Sequence, residues 1–189
     1  MIRIKSSFRD PSGFVFTEEQ ILYRGITPFY KDHYEHAVKS GLYEQLMSAG
    51  MLIPHHEVEN PTNSTDLYKV IMPEKILFIS YPYEWCFSEL KDAALLTLEI
   101  QKRALEKNMS LKDASAYNIQ FRQGKPIFID TLSFETYEDG SPWQGYRQFC
   151  QHFLAPLALM SYCDLRSNQL SRIFMDGIPL DLASSLLPL

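Results

Sequence analysis

No Walker loop, Gly-x-Ser-x-Gly elbow or His-Glu-x-x-His helix occurs in this chain, so P-loop, serine-hydrolase and zincin chemistries have no residues to work with. Cysteine is sparse. Cys86, Cys150 and Cys163 are scattered without CxxC spacing, and an odd, unpaired set reads as reduced thiols of a cytoplasmic protein. No apolar run is long enough to span a membrane, and the first residues lack the basic-then-apolar order of a secretory signal. A lysine-arginine stripe is also missing. The formal net charge of -5 argues against a general nucleic-acid partner, since nothing replaces the counterions of a phosphate backbone. His33, His36 and the pair His55-His56 are not completed by a second ligand cluster and read as surface or loop histidines.

What is present is a globular composition: 189 residues, 46% hydrophobic and 22% charged, enough for one or two modest cores. The patterning predicts short strands over Ile2–Ile4, Phe14–Phe16 and Ile21–Tyr23, a helix from Lys31 to Met47, and a weak strand at Met51–Ile53. A polar loop over residues 57–66 follows. A hairpin over Tyr68–Met72 and Lys75–Ser80 comes next, then a long helix from Ser88 to Met109 with Ser88 as its N-cap. Later, Trp143 to Met160 predicts an apolar helix kinked at Pro156, and Asp164 to Phe174 a last helix. The close is apolar through Ile178, Leu180, Leu182, Leu186 and Leu187, which predicts packing on the helices or an exposed patch and suggests a chain that continues into a further domain.

The stretch that carries chemistry is Leu111-Lys-Asp-Ala-Ser-Ala-Tyr-Asn118, followed by Ile127-Phe-Ile-Asp130. Asp113 can accept a hydroxyl proton, and the carbonyl oxygen of Asn118 with the carboxylate of Asp130 can share a hard, oxygen-seeking cation. Gly124 marks a turn between two short apolar strands, so the hairpin should return Asp130 beside Asn118. The bland alternative is that Asp113, Asn118 and Asp130 are each a turn or cap residue.

With a strand, a turn rich in aromatics and a long helix in front of it, this segment resembles the protein-kinase-like superfamily, on its aminoglycoside and choline kinase side. The resemblance is closest over residues 70–135. It implies an α+β, two-lobed kinase-like fold: a reduced N-terminal lobe over residues 1–80, a hinge over 81–86, and a mainly helical C-terminal lobe over 87–189. It further implies ATP and Mg²⁺ as cofactors, a small-molecule hydroxyl as acceptor, Asp113 as catalytic base, and Asn118 and Asp130 as metal ligands in an interlobe cleft. Tyr81, Tyr83 and Trp85 would hold adenine at the hinge. Arg24 stands nearest to the family's strand lysine, either as a phosphate clamp paired with Glu35 or Glu44, or as an ordinary strand arginine.

The chain also departs from that pattern. Leu111 occupies the place of a bracing histidine, Thr131-Leu132 replaces Phe-Gly after the metal-binding Asp, and Gly13 is the lone glycine of the first hairpin-like segment. A second resemblance covers nearly the whole chain. The phrases Phe8-Arg-Asp-Pro-Ser-Gly-Phe-Val-Phe16, Lys125-Pro-Ile-Phe-Ile-Asp-Thr-Leu-Ser-Phe134, Tyr146-Arg-Gln-Phe-Cys-Gln-His-Phe-Leu-Ala-Pro-Leu157 and Asp176-Gly-Ile-Pro-Leu-Asp-Leu182 look like the N-terminal part of larger bacterial proteins called SAM-dependent methyltransferases, some nodulation-related. That resemblance implies a methyltransferase domain downstream. The chain itself has no Gly-x-Gly nucleotide turn after a strand, so SAM is not expected to bind it. Two function classes remain: an ATP- and Mg²⁺-dependent phosphotransferase, and a catalytically inactive kinase-like module that binds substrate or regulates an attached methyltransferase.

Overall fold

A computed structural model describes residues 2–4, 10–62 and 64–188. The fold class is α+β, and the chain divides into two compact units, Met1–Leu77 and Phe78–Leu189.

The first unit is built on an antiparallel sheet of order β1-β2-β3-β5-β4, from β1 (Ile2–Arg3), β2 (Gly13–Glu18), β3 (Ile21–Ile26), β4 (His55–Val58) and β5 (Lys69–Pro73). Phe14 and Phe16, two residues apart on β2, point the same way and pack with Val70. Strands β2 and β3 are joined by Glu19-Gln20, both at positive φ (49° and 66°), the two-residue turn whose twist matches the strands. Gly13 therefore opens a paired strand opposite Ile26 and is not in that turn.

The helix expected over 31–47 is two helices, α1 (Lys31–Lys39) and α2 (Leu42–Ser48). Gly41 separates them at φ +74°, the left-handed stop that a glycine adopts without a Cβ penalty. His55 and His56 belong to strand β4 and not to a loop. The His55 ring meets Tyr43 edge-on at 5.2 Å, and burial lowers its pKa. The expected strand over Lys75–Ser80 does not form. Strand β5 already has β3 on one side and β4 on the other, so it has no edge to offer a further partner. Leu77 and Phe78 are instead 92% and 76% exposed.

The second unit opens with α3 (Phe87–Leu105), whose first turn is fixed by the Glu89 carboxylate accepting the Cys86 N–H at 2.8 Å, so the cap is at Cys86 and not at Ser88. Two small sheets follow. β6 (Met109–Leu111) pairs with β9 (Phe134–Thr136), and β7 (Ile119–Arg122) pairs with β8 (Lys125–Phe128). Met109, expected at the end of the helix, starts β6.

The expected helix over 143–160 is α4 (Tyr146–Phe149), a π-helical turn (Cys150–Leu154) and α5 (Ala155–Tyr162). Pro156 explains the wide turn. It has no N–H to give an upstream carbonyl, so the ladder shifts to a bond from Ala155 N–H to Cys150 O, and the Gln151 carbonyl takes the Ile178 N–H at 3.0 Å. Leu165–Arg172 is a 3-10 helix capped by Asp164. After it, α6 (Leu180–Leu186) lays Ala183, with Ile178 just ahead, on Ala155 and Leu159, while Leu180 and Leu186 stay exposed.

Candidate functional site

The hairpin β7–β8 places the central residues. Gln123 and Gly124 lie at φ +52° and +74° and form a two-residue turn, and the register pairs Ile119 with Phe128. One step further along this ladder the Ile129 N–H reaches the Asn118 carbonyl at 2.8 Å, so Asp130 leaves the hairpin beside Asn118. On the other side the Lys112 N–H bonds the Ser133 carbonyl at 2.9 Å, joining the segment that carries Asp113 to the one that carries Asp130. All three of Asp113, Asn118 and Asp130 are half-buried.

Each acid is oriented by its own turn. Asp113 Oδ1 accepts the Ser115 N–H at 2.9 Å. Asp130 Oδ1 accepts the Leu132 N–H at 3.1 Å and its Oδ2 accepts the Ser133 hydroxyl at 2.6 Å. Thr131-Leu132, which stand where Phe-Gly was expected, thus supply the turn that holds Asp130. Asn118 ends a short 3-10 turn over Ala116–Asn118, and its side-chain Nδ2 is buried with no hydrogen-bond partner. A buried amide with an unmet bond is the observation that fits a bound oxygen-rich group here. The donor set of Asn118 and Asp130, a carboxamide and a carboxylate, suits a hard divalent cation such as Mg²⁺.

Leu111 removes the expected histidine brace, yet the loop is braced by other means. Leu111 is fully buried, its N–H bonds the Gln101 carboxamide oxygen at 2.7 Å, and its carbonyl accepts the Trp143 indole N–H at 2.7 Å. Gln148 takes the Ala114 N–H at 2.7 Å. Sequence reasoning missed Gln101, Trp143 and Gln148, because side chains that serve backbone groups of distant segments leave no periodic signal.

The remaining expected residues are distributed differently. Arg24 sits on β3 opposite Ile71 and Val15, with Asp10 as its ion-pair carboxylate at 3.7 Å. Neither helix glutamate is seen to serve it. Glu35 is held by Lys39, Lys31 and the Tyr68 hydroxyl, and the Lys39 bond is the main reason its pKa falls to about 2, while Glu44 is exposed. Tyr81 and Tyr83 stack at 5.5 Å, with the Arg172 guanidinium 5.5 Å from the Tyr83 ring centre. Trp85 is only 3% exposed, edge-on to Phe121 and donating to the Ser80 hydroxyl, so its ring belongs to the core of this unit.

A further polar cluster borders Asn118. Tyr117 meets the buried His152 ring edge-on at 6.1 Å, and its hydroxyl is buried without a partner. Burial raises the Tyr117 pKa, and the nearby Tyr83, Asp176 and Tyr81 add to the rise. Burial also holds His152 neutral, pulling its pKa down to about 4 against the opposing pull of Asp176. The π-helical turn that presents His152 is a feature frequent at functional sites. Further along, an apolar groove of about 360 Å³ lies between Cys150, Leu154, Ala158, Leu180 and Leu187. Among the described residues no helix is long and apolar enough to cross a membrane, and no cluster of three or more His, Cys, Asp or Glu is arranged to hold a metal.

No protein-family model matches the chain. It is 37% identical over 180 residues, 94% of its length, to nodulation protein NoeA of Rhizobium meliloti (strain 1021), and it spans 37% of the length of that relative. Among solved structures it is similar to that of WaaP in complex with acyl carrier protein, at 12% identity and a TM-score of 0.39, covering 93% of this chain and 80% of that one.

Proposed function

We propose that this chain is a kinase-like domain in which Asp130 and Asn118 hold a Mg²⁺ ion together with the phosphates of a nucleotide such as ATP, and Asp113 receives the proton of a small-molecule hydroxyl. The observation that supports the reading is the pair of backbone bonds, Ile129 to Asn118 and Lys112 to Ser133, that bring the backbone segments carrying the three residues together within the second unit. Each residue has a separate task. Asp130 is held by Leu132 and Ser133 and would give a cation the lone pairs those bonds leave over, while Asn118 would add a neutral oxygen ligand. Asp113, held by Ser115, lies one residue from the Lys112–Ser133 link and is the group free of metal duty. A bound Mg²⁺ supplies neutralisation of phosphate charge. The tyrosines at 81 and 83 lie near Tyr117, the chain neighbour of Asn118.

A second reading is favoured by Leu111, which has no proton to give or take. On it, the domain binds a phosphate-bearing ligand without turnover and serves as a recognition or regulatory module within a longer protein of the nodulation-protein type, attached to a methyltransferase domain. Calorimetry with ATP and Mg²⁺ separates the readings. Asp130→Asn should abolish the metal-dependent part of binding. Asp113→Asn should leave binding nearly intact and remove transfer, because a base that receives the acceptor proton does not hold the nucleotide. Metal-dependent binding with no transfer to any hydroxyl acceptor selects the second reading in a nucleotide-sensing form, and absence of binding in the wild type removes the first reading and leaves an inactive module that does not use nucleotide.

A further inference from the structure

The segment expected to read adenine has its own hydrogen bonds already made. An adenine edge presents a donor beside an acceptor, so a backbone that reads it must offer a C=O and an N–H facing the same way. In the extended stretch before the turn, Ser80 has such a pair, and both members are taken by one side chain: the Gln120 oxygen accepts the Ser80 N–H at 3.0 Å and the Gln120 amide donates to the Ser80 carbonyl at 3.0 Å. Gln120 is 5% exposed and stands two residues beyond Asn118 on β7. Its carboxamide makes the same paired bond with Ser80 that a nucleobase edge would make.

The following residues are equally committed. Tyr81 gives its N–H to the Glu84 carboxylate and its carbonyl to the Glu84 N–H, and Pro82 has no N–H. The Pro82 carbonyl takes the Trp85 N–H and the Asn168 amide, the Trp85 carbonyl takes the same Asn168 amide at 2.8 Å, and the Tyr83 carbonyl takes the Gln169 amide. Cys86 closes the run with its N–H on Glu89 and its carbonyl on Leu90. What is left is the Tyr83 N–H and the Glu84 carbonyl. These belong to the 3-10 turn Pro82–Glu84, where N–H groups point toward the start of the helix and carbonyls toward its end, so the two cannot face one ligand edge together.

Resting on the cation-phosphate reading above, we propose that the ligand of the Asp113, Asn118 and Asp130 site is recognised through a chelating polyphosphate end alone, carried by any nucleobase or by none. Unlocking Ser80 would cost the buried Gln120 both of its bonds there, and freeing Trp85 would strand the carboxamide of the 95% buried Asn168. The specificity of the site thus lies at its metal end.

The test is calorimetric binding of inorganic tripolyphosphate, ATP, GTP and CTP to the wild-type chain with Mg²⁺ in excess, and of adenosine alone. The expected result is four dissociation constants within about threefold of each other and no adenosine binding at millimolar concentration, since base contacts contribute little. ATP tighter than both GTP and tripolyphosphate by more than about tenfold, or adenosine displacing ATP, overturns the inference and leaves the cation-phosphate reading standing. Failure of every polyphosphate to bind removes the reading and the inference together.

Discussion

Gln101 is the residue whose loss should loosen the Asp113 loop without touching it. Its oxygen takes the Leu111 N–H at 2.7 Å, its amide donates to the Ser110 hydroxyl at 3.1 Å, and all three residues are buried, at 7%, 0% and 3% exposure for Gln101, Leu111 and Ser110. Methionine is similar in length and flexibility and has no comparable donor or acceptor, so Gln101→Met isolates the hydrogen bonds from the packing. A stranded buried N–H costs about 1–3 kcal/mol, and a weakened hydroxyl about 1 kcal/mol more. The extra apolar burial returns roughly 1 kcal/mol. The net loss should be about 2 kcal/mol, read from urea unfolding of the second unit, and should come with faster amide exchange at Leu111 than at strands β7 and β8. A loss under about 0.5 kcal/mol with Leu111 still protected would refute the claim that Gln101 braces this loop.

His152 gives a pH test. Its folded pKa, near 4, lies below the ordinary 6.5, so the unfolded chain binds the extra proton between those values, and this contribution to stability is full above pH 6.5 and lost as the pH falls toward 4. Between pH 7.5 and pH 5 the wild type should lose about 2 kcal/mol more stability than His152→Phe, which urea midpoints of both proteins at the two pH values will show. Two glycines form a second comparison. A Cβ on Gly177 would sit 2.6 Å from the Gln151 Cβ at φ +93°, whereas Gly140, at φ +83°, has nothing within 4 Å of the same atom. Gly140→Ala should cost about 1 kcal/mol from backbone strain alone, and Gly177→Ala clearly more, with thermal melts of equal midpoint counting against the close approach of Gly177 to the π-helical turn at Gln151.

The hairpin and its flanking residues were legible because their signals are local. Gly124 supplies the left-handed turn and the apolar residues on both sides alternate, so the return of Asp130 to Asn118 follows from the sequence. The strand expected over Lys75–Ser80 failed for a non-local reason. Ile76, Leu77 and Phe78 are as apolar as a strand requires, but a strand exists only where a sheet edge is open, and β5 has none. Gly41 was visible in the sequence, yet a glycine within a helical pattern reads equally as tolerated or as a stop until the backbone angle is known. At the site the acids were found and their supports were not. Gln101, Gln120, Gln148 and Asn168 each satisfy backbone groups of another segment, and carboxamides at irregular positions look like ordinary polar residues until those segments meet.

The most direct test of the cation site uses Mn²⁺ as a paramagnetic stand-in for Mg²⁺, titrated into labelled protein with tripolyphosphate present while the amide spectrum is followed. The account predicts selective broadening of the Asn118 side-chain amide and of the Ile129 and Leu132 backbone amides, absent in Asp130→Asn, because these groups border the two ligand side chains. Broadening centred elsewhere in the chain, or unchanged by Asp130→Asn, would contradict it.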